Sequence, residues 1–246
     1  MKIAKMTVIL GALIAPCFFV EAAYADPTAA ELLAKYDAVM GPENFVTVLE
    51  MTAHRDDGTT RTYKMSALKK GSDKFRATFA EPAAVRGQEM LRQGDNLWVY
   101  MPNLKRAVRL ANRDSFQGGD FNNADVLRVN YTTDYSAELQ ADPARSDAWL
   151  LELHAKTKDA AYDKIKLWLR KSDALPLKGE YYTASGKMLR MAEFSDYKNF
   201  GGLSRPAKVV MKNMLATQRY STMTWETLDT KVNPPNGKFV LDDLGK

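Results

Sequence analysis

Apolar and polar residues alternate with a period of two along most of this chain. Between residues 44 and 232 the alternating runs are short, and turn residues such as those at 56–58 (Asp-Asp-Gly) and 94–96 (Gly-Asp-Asn) separate them. This pattern predicts strands joined by hairpins. The strands should be antiparallel, because parallel neighbours need a crossover of about a dozen residues between each pair. The predicted strands cover residues 44–55, 60–69, 73–81, 87–93, 97–101, 105–110, 134–141, 148–156, 162–171, 177–184, 188–198, 205–215 and 218–232.

Residues 27–40 follow the helical period instead, with apolar side chains every three or four positions. Thr28 precedes the apolar run and Glu31 stands three residues later, which is the pattern of a capping box. Gly41 and Pro42 then end the helix. Together with the strands, this predicts a mainly β, α+β fold. We expect a single strongly curved antiparallel sheet with helices on one face, and one domain over residues 26–246, since no linker or repeat divides them.

Two of the predicted strands are apolar on both sides. Leu97, Val99 and Met101 point one way, while Trp98 and Tyr100 point the other. A sandwich core would explain this pattern, and so would a curved sheet whose concave side forms an apolar cavity. Either side could line such a cavity, because indole and phenol rings suit a wet rim as well as a wall. In the second strand, Ile165, Leu167 and Leu169 share one side and Trp168 lies on the other.

Residues 112–130 form the most distinctive loop. Phe116 and Phe121 bracket Gly118-Gly119, which permit positive φ, and Asn122 or Asn123 can cap a short helix over residues 124–127. Two interpretations stay open. The loop is either an ordered segment with buried aromatic rings or a mobile lid over a pocket.

The N-terminus predicts a cleavable signal peptide over residues 1–25. Lys2 and Lys5 precede an apolar run, and Ala23-Tyr24-Ala25 fits the cleavage pattern. The run is shorter than the ~20 residues that span a bilayer, so the mature chain should carry no transmembrane segment and be periplasmic. The sole cysteine, Cys17, lies in this segment behind a proline, which is a poor lipidation context.

Composition narrows the classes of function that the chain could have. The chain of 246 residues has 35 basic and 30 acidic side chains, a net charge of +5 that is too mild to indicate nucleic acid. His54 and His154 are the only histidines, and no nucleophile elbow or zinc motif accompanies them. We therefore expect no enzyme, no cofactor and no metal site. The 12 methionines favour adaptable apolar walls, and pairs three apart on one strand, such as Met188 and Met191, would not face each other to bind copper.

Several motifs resemble those of the LolA-like outer-membrane lipoprotein-sorting protein family. They are Leu-Trp-Val-Tyr-Met-Pro at 97–102, Ser-Phe-Gln-Gly-Gly-Asp-Phe at 115–121 and Phe-Ser-Asp-Tyr-Lys at 194–198. The similarity runs in order along nearly the whole mature chain. The family's loop usually reads Ser-Phe-Met-Gly-Ser-Asp-Phe, so Gln117 and Gly119 depart from it.

The resemblance implies a half-open β-barrel whose concave face is covered by helices. It further implies a carrier or chaperone that binds acyl chains of lipids or lipoproteins in a hydrophobic cavity, for transfer towards the outer membrane. Its partners would include an inner-membrane transporter and an outer-membrane acceptor. The alternative is a non-carrier binding module, an accessory or regulatory subunit of an envelope transporter or stress-sensing system. The expected cavity wall is Leu97, Val99, Met101, Ile165 and Leu167, and the expected covering residues are Phe116, Gly118, Gly119 and Phe121.

Overall fold

Thirteen antiparallel strands form one continuous sheet in the computed structural model, which describes residues 26–127, 130–216 and 218–246. The predicted signal peptide, with Cys17, lies outside the described residues. The strands are β1 Asn44–His54, β2 Thr60–Lys70, β3 Lys74–Glu81, β4 Glu89–Gln93, β5 Asn96–Met101, β6 Arg106–Leu110, β7 Tyr135–Gln140, β8 Ala148–Ala155, β9 Lys164–Arg170, β10 Pro176–Tyr182, β11 Met188–Phe200, β12 Leu203–Asn213 and β13 Tyr220–Asp229. The helices are α1 Ala29–Met40, α2 Asn123–Leu127 and α3 Tyr131–Asp134, with 3-10 turns at Ala83–Val85, Phe116–Gly118, Asn236–Phe239 and Leu241–Asp243.

The sheet is open. Strand order runs β6-β5-β4-β3-β2-β1-β13-β12-β11-β10-β9-β8-β7, so β6 and β7 are its two edges. These edges are consecutive in the chain, and the connection between them carries α2 and α3. The predicted fold class is thereby confirmed. The molecule is mainly β, with a single curved antiparallel sheet and helices against its concave face.

The N-terminal helix begins and packs as its sequence predicts. The Thr28 hydroxyl accepts a hydrogen bond from the Glu31 N–H, and the Glu31 carboxylate accepts one from the Thr28 N–H, which completes the capping box. Leu32, Leu33 and Tyr36 are buried in the same core cluster as the concave side of the sheet. Burying each such side chain contributes about 1.5–3 kcal/mol, so packing rather than propensity holds α1 in place.

Each face of the sheet has its own apolar cover, which explains the two-sided strands. On the concave side, which we call the inner face, Leu97 and Val99 join the core beneath the helices. On the outer face, Trp98 and Tyr100 pack against Phe239, which lies in the C-terminal segment of the chain. In the second two-sided strand, Trp168 lies on the outer face with Ala148 and Leu150.

An ion-pair network fastens the C-terminal segment to the outer face. The buried Arg76 guanidinium pairs with the buried Glu89 carboxylate and with Asp243. The same guanidinium also donates to the Lys238 carbonyl oxygen at 3.0 Å, and the Gly245 N–H donates to Glu89. Every charged group in the network therefore has a partner of opposite charge.

Candidate functional site

Residues 115–122, here called the covering loop, fold back on themselves against the inner face. The Phe116 N–H donates to the Phe121 carbonyl oxygen at 2.9 Å, and Ser115 bridges to Asn122. Both phenylalanine side chains are buried. In this structure the loop is thus ordered, with its aromatic rings inside, which is one of the two predicted interpretations.

The glycine pair behaves differently from the sequence expectation. Gly118 has the expected positive φ of +73°, but Gly119 is extended at φ −83°, and the preceding Gln117 adopts the second left-handed conformation at φ 52°. Gly119 is needed for space instead. A Cβ there would lie 3.0 Å from the Ser221 hydroxyl oxygen and 3.3 Å from the Met51 methyl carbon. The backbone of the covering loop therefore lies so close to the sheet at Gly119 that a side chain there would have almost no room.

Asp120 attaches the covering loop to the strands beneath it. Its carboxylate accepts hydrogen bonds from the Ser221 hydroxyl at 3.0 Å and the Asn213 amide at 2.9 Å. Its N–H donates to the Ser221 oxygen, and its carbonyl oxygen accepts from Arg190. Arg219 lies 3.9 Å from the same carboxylate. These contacts are polar, so water can replace them if the loop lifts.

A short helix follows the loop, as predicted, and Asn122 caps it. The Asn122 side chain accepts from the Asp125 N–H, and the Asp125 carboxylate accepts from the Asn122 N–H. Asp125 also accepts a hydrogen bond from the Tyr162 hydroxyl at 2.8 Å. Burial raises the pKa of Asp125 to about 6, although these hydrogen bonds lower it in part.

Two adjacent cavities separate the helices from the inner face. Their volumes are about 40 Å³ and 30 Å³, and Met40, Asp125, Met223 and Trp225 line both. The walls are otherwise almost entirely apolar or aromatic. The larger cavity is also lined by Tyr36, Phe121, Tyr131, Tyr181, Phe194, Val209 and Met211, and the smaller one by Phe45, Thr47, Leu49, Phe75 and Val126.

The sequence-predicted wall residues lie mostly elsewhere on the inner face. Leu97, Val99, Ile165 and Leu167 are buried in the core cluster and line neither cavity. Met101 packs at the edge of that cluster and borders a surface cleft of about 330 Å³. Of the predicted covering residues, Phe121 lines the larger cavity. Phe116 packs against Phe79 with ring centroids 5.9 Å apart, and Gly118 and Gly119 support the loop.

The C-terminal end of α1 meets two buried cations that the sequence analysis did not single out. Lys69 donates to the Gly41 and Pro42 carbonyl oxygens, and burial lowers its pKa to about 8. Arg205 donates to the Met40 carbonyl oxygen at 3.3 Å, and burial lowers its pKa to about 10. A signal was present for Arg205. It occupies an inward position of β12, in line with the apolar Ala207.

The site offers an apolar interior with a few polar groups at its margin. His54 stacks on Tyr220, and His154 pairs with Glu152 at the surface, so neither histidine faces the cavities. Across the described residues, no three His, Cys, Asp or Glu side chains are grouped to hold a metal ion. In that same part of the chain, no helix is long and apolar enough to cross a membrane.

A protein-family model described as "uncharacterized protein" matches residues 71–246. No curated protein matches the chain in sequence.

Three solved structures share the whole architecture. A LolA superfamily protein from Nitrosomonas europaea is 28% identical, with a TM-score of 0.81 over 88% of this chain and 99% of that one. A DUF1329 family protein from Desulfovibrio piger is 22% identical, with a TM-score of 0.79 over 89% and 100% of the two chains. A putative outer membrane lipoprotein-sorting protein domain from Vibrio parahaemolyticus is 24% identical, with a TM-score of 0.74 over 88% and 96%.

Proposed function

Because the chain belongs to the family of the uncharacterized-protein model and shares its fold and 28% of its sequence with a LolA superfamily protein, we propose that it is a periplasmic carrier for acyl chains. The chains of a lipid or lipoprotein would lie between the covering helices and the inner face of the sheet, for transfer towards the outer membrane. Residues 1–25 would be removed on export, so that the mature protein starts at Asp26.

The observation that carries this proposal is an apolar gap beneath a loop held by polar contacts. The cavities of about 40 Å³ and 30 Å³ are far smaller than the ~300–1,000 Å³ of a typical ligand pocket. The structure is therefore the closed form, and a ligand must displace what fills the space. The covering loop is the segment to move, because Asp120 fixes it through groups that water can satisfy.

Burial of an acyl chain can offset the free-energy cost of lifting the covering loop. Exposing Phe116 and Phe121 costs about 1.5–3 kcal/mol each. Burying an acyl chain contributes about 0.8 kcal/mol per CH₂, so a chain of about a dozen carbons offsets the exposure of both rings. Cargo and covering loop would then compete for the same space, which favours reversible loading.

A disulfide across the loop tests this directly. A Cβ on residue 119 lies 3.0 Å from the Ser221 hydroxyl oxygen, which places Gly119→Cys and Ser221→Cys within bonding reach. With residues 1–25 absent, the chain has no other cysteine. We expect the oxidised variant to take up a fluorescent long-chain lipid at least about tenfold more slowly than the same variant after reduction.

The reduced double variant is the matched control, since it carries both substitutions without the bond. Equal uptake by the oxidised and reduced forms would show that the covering loop does not gate the cavity. Absence of uptake by the wild-type protein as well would contradict the carrier and favour the accessory or regulatory subunit.

A further inference from the structure

Arg205 is a buried cation without an anionic partner. Its side chain is 1% exposed and lies on the inner face of β12. Among the described residues, no carboxylate forms an ion pair with it. Burial of an unpaired charge is costly, and arginine is almost never fully buried unless it is paired.

The guanidinium uses only part of its hydrogen-bonding capacity. Nη1 donates to the Met40 carbonyl oxygen at 3.3 Å and Nε to the Pro206 carbonyl oxygen at 3.2 Å, while Nη2 has no partner. The Trp225 ring covers one side of the group, with its centroid 4.4 Å from the guanidinium carbon. Nη2 and a neighbouring nitrogen of the guanidinium could together donate to both oxygens of a carboxylate or phosphate.

The same guanidinium lies behind two residues of the apolar gap, although it lines neither cavity itself. Met40 and Trp225, its two neighbours, line both cavities. Trp225 is only partly buried. Asp125 also lines both cavities, and its carboxylate would repel an anion. An amphiphile in the gap would accordingly turn its anionic end away from Asp125.

We propose that Arg205 binds the anionic head group, a carboxylate or phosphate monoester, of an amphiphile whose acyl chain occupies the cavities. This inference rests on the carrier function proposed above and specifies its ligand. In the closed form, the carbonyl oxygen of Met40, at the negative end of the α1 dipole, partly compensates the cation. When a chain enters the gap, the head group replaces that carbonyl oxygen.

Lys69 adds positive charge at the C-terminal end of α1. Its ammonium group donates to the Gly41 and Pro42 carbonyl oxygens, directly after Met40 in the chain. Two cations that contact consecutive carbonyl oxygens favour an anionic head group over a neutral or cationic one.

Three ligands with the same 12-carbon chain test the inference: dodecanoate, dodecyl phosphate and 1-monolauroylglycerol. Titration calorimetry below their micelle concentrations gives each dissociation constant. We expect the wild-type protein to bind at least one of the two anions at least about tenfold more tightly than the neutral ester. Which anion binds more tightly separates a fatty acid from a phosphate-bearing lipid. Arg205→Gln should remove this preference while binding the neutral ester within about twofold of wild type.

Arg170→Gln is the matched control. Arg170 also stacks on an aromatic ring, 4.5 Å from the centroid of Tyr197, but it is more exposed and pairs with Asp173. This variant should keep the anion preference, and Arg205→Lys should keep part of it. If wild type binds all three ligands equally, or if Arg205→Gln retains the preference, the inference is wrong and the carrier stands. If wild type binds none of them, the carrier itself fails. If Arg205→Gln does not fold, Arg205→Lys decides the matter, because a preference equal to that of wild type would contradict the role of the guanidinium.

Discussion

A buried arginine on the outer face of the sheet, Arg76, and one on the inner face, Arg205, have opposite kinds of partner. On the outer face, Arg76 contacts two carboxylates, Glu89 and Asp243, and fastens the C-terminal segment. On the inner face, Arg205 donates to backbone carbonyl oxygens and stacks on an aromatic ring. The outer cover is closed by charges that compensate one another, whereas within the described residues no carboxylate pairs with Arg205.

The difference extends to the acidic groups. Hydrogen bonds from Arg76 and Lys238 lower the pKa of Asp243 on the outer face. Burial raises the pKa of Asp125 on the inner face to about 6. Electrostatics therefore stabilise the outer cover at neutral pH and weaken the inner one. A cover that must open for cargo should be the less stable of the two.

The largest expected effect is on the outer face. Arg76→Gln leaves Glu89 buried without its cation, and we expect the free energy of unfolding to fall by about 3–5 kcal/mol. Urea titration followed by circular dichroism measures this. If residues 26–246 fold as the single domain we propose, each variant should unfold in one transition.

The comparison variant is Arg205→Gln, which removes a charge that has no counter-ion. Its free energy of unfolding should lie within about 1 kcal/mol of wild type, because the lost cation–π contact is offset by the relieved desolvation. Equal losses in the two variants would contradict the contrast between the faces.

A smaller, pH-dependent effect is expected at Asp125. Its pKa is 3.8 in the unfolded chain and about 6 in the folded one, so the folded state binds the proton more tightly. This stabilisation is complete below about pH 4 and is lost as the pH rises through 6. Asp125→Asn should therefore gain stability relative to wild type between pH 4 and pH 7, by on the order of 3 kcal/mol. Urea titrations at four pH values across this range measure the difference.

Asp243→Asn should change the pH dependence of stability in the opposite direction. Because the folded-state pKa of Asp243 is lowered, its contribution is present at neutral pH and is lost as the pH falls. The variant should thus lose stability relative to wild type as the pH rises from 3 to 7.

Parallel curves of unfolding free energy against pH for Asp125→Asn and wild type would show that Asp125 is not desolvated as the structure indicates.

Local pattern was enough to predict most of the fold. Alternation and turn residues predicted all thirteen strands of the described chain to within about three residues at each end. The capping box of α1 was likewise predicted from Thr28 and Glu31, and the cap of α2 was predicted to be Asn122 or Asn123. These elements depend on contacts between near neighbours.

Features that depend on distant residues escaped prediction. Helix α3 has only four residues, and its first N–H groups donate to Asp37, 94 and 95 positions away. The glycine pair was predicted only to permit positive φ, and Gly119 is extended because its role is set by its distance from Ser221 on β13. Arg205 went unnoticed because a strand arginine is ordinarily exposed, although it alternates in phase with the apolar Ala207, and its burial depends on α1 and Trp225.

The most direct test of the carrier is the mass of the native protein isolated gently from its own cell envelope. Native mass spectrometry should show the mass of a chain starting at Asp26 rather than that of a longer chain lipidated at Cys17, and a population carrying one noncovalent acyl-chain ligand with an acidic head group. Denaturation should release that ligand for identification. Protein that is empty in every preparation, and that takes up none of the three 12-carbon ligands afterwards, would contradict the account.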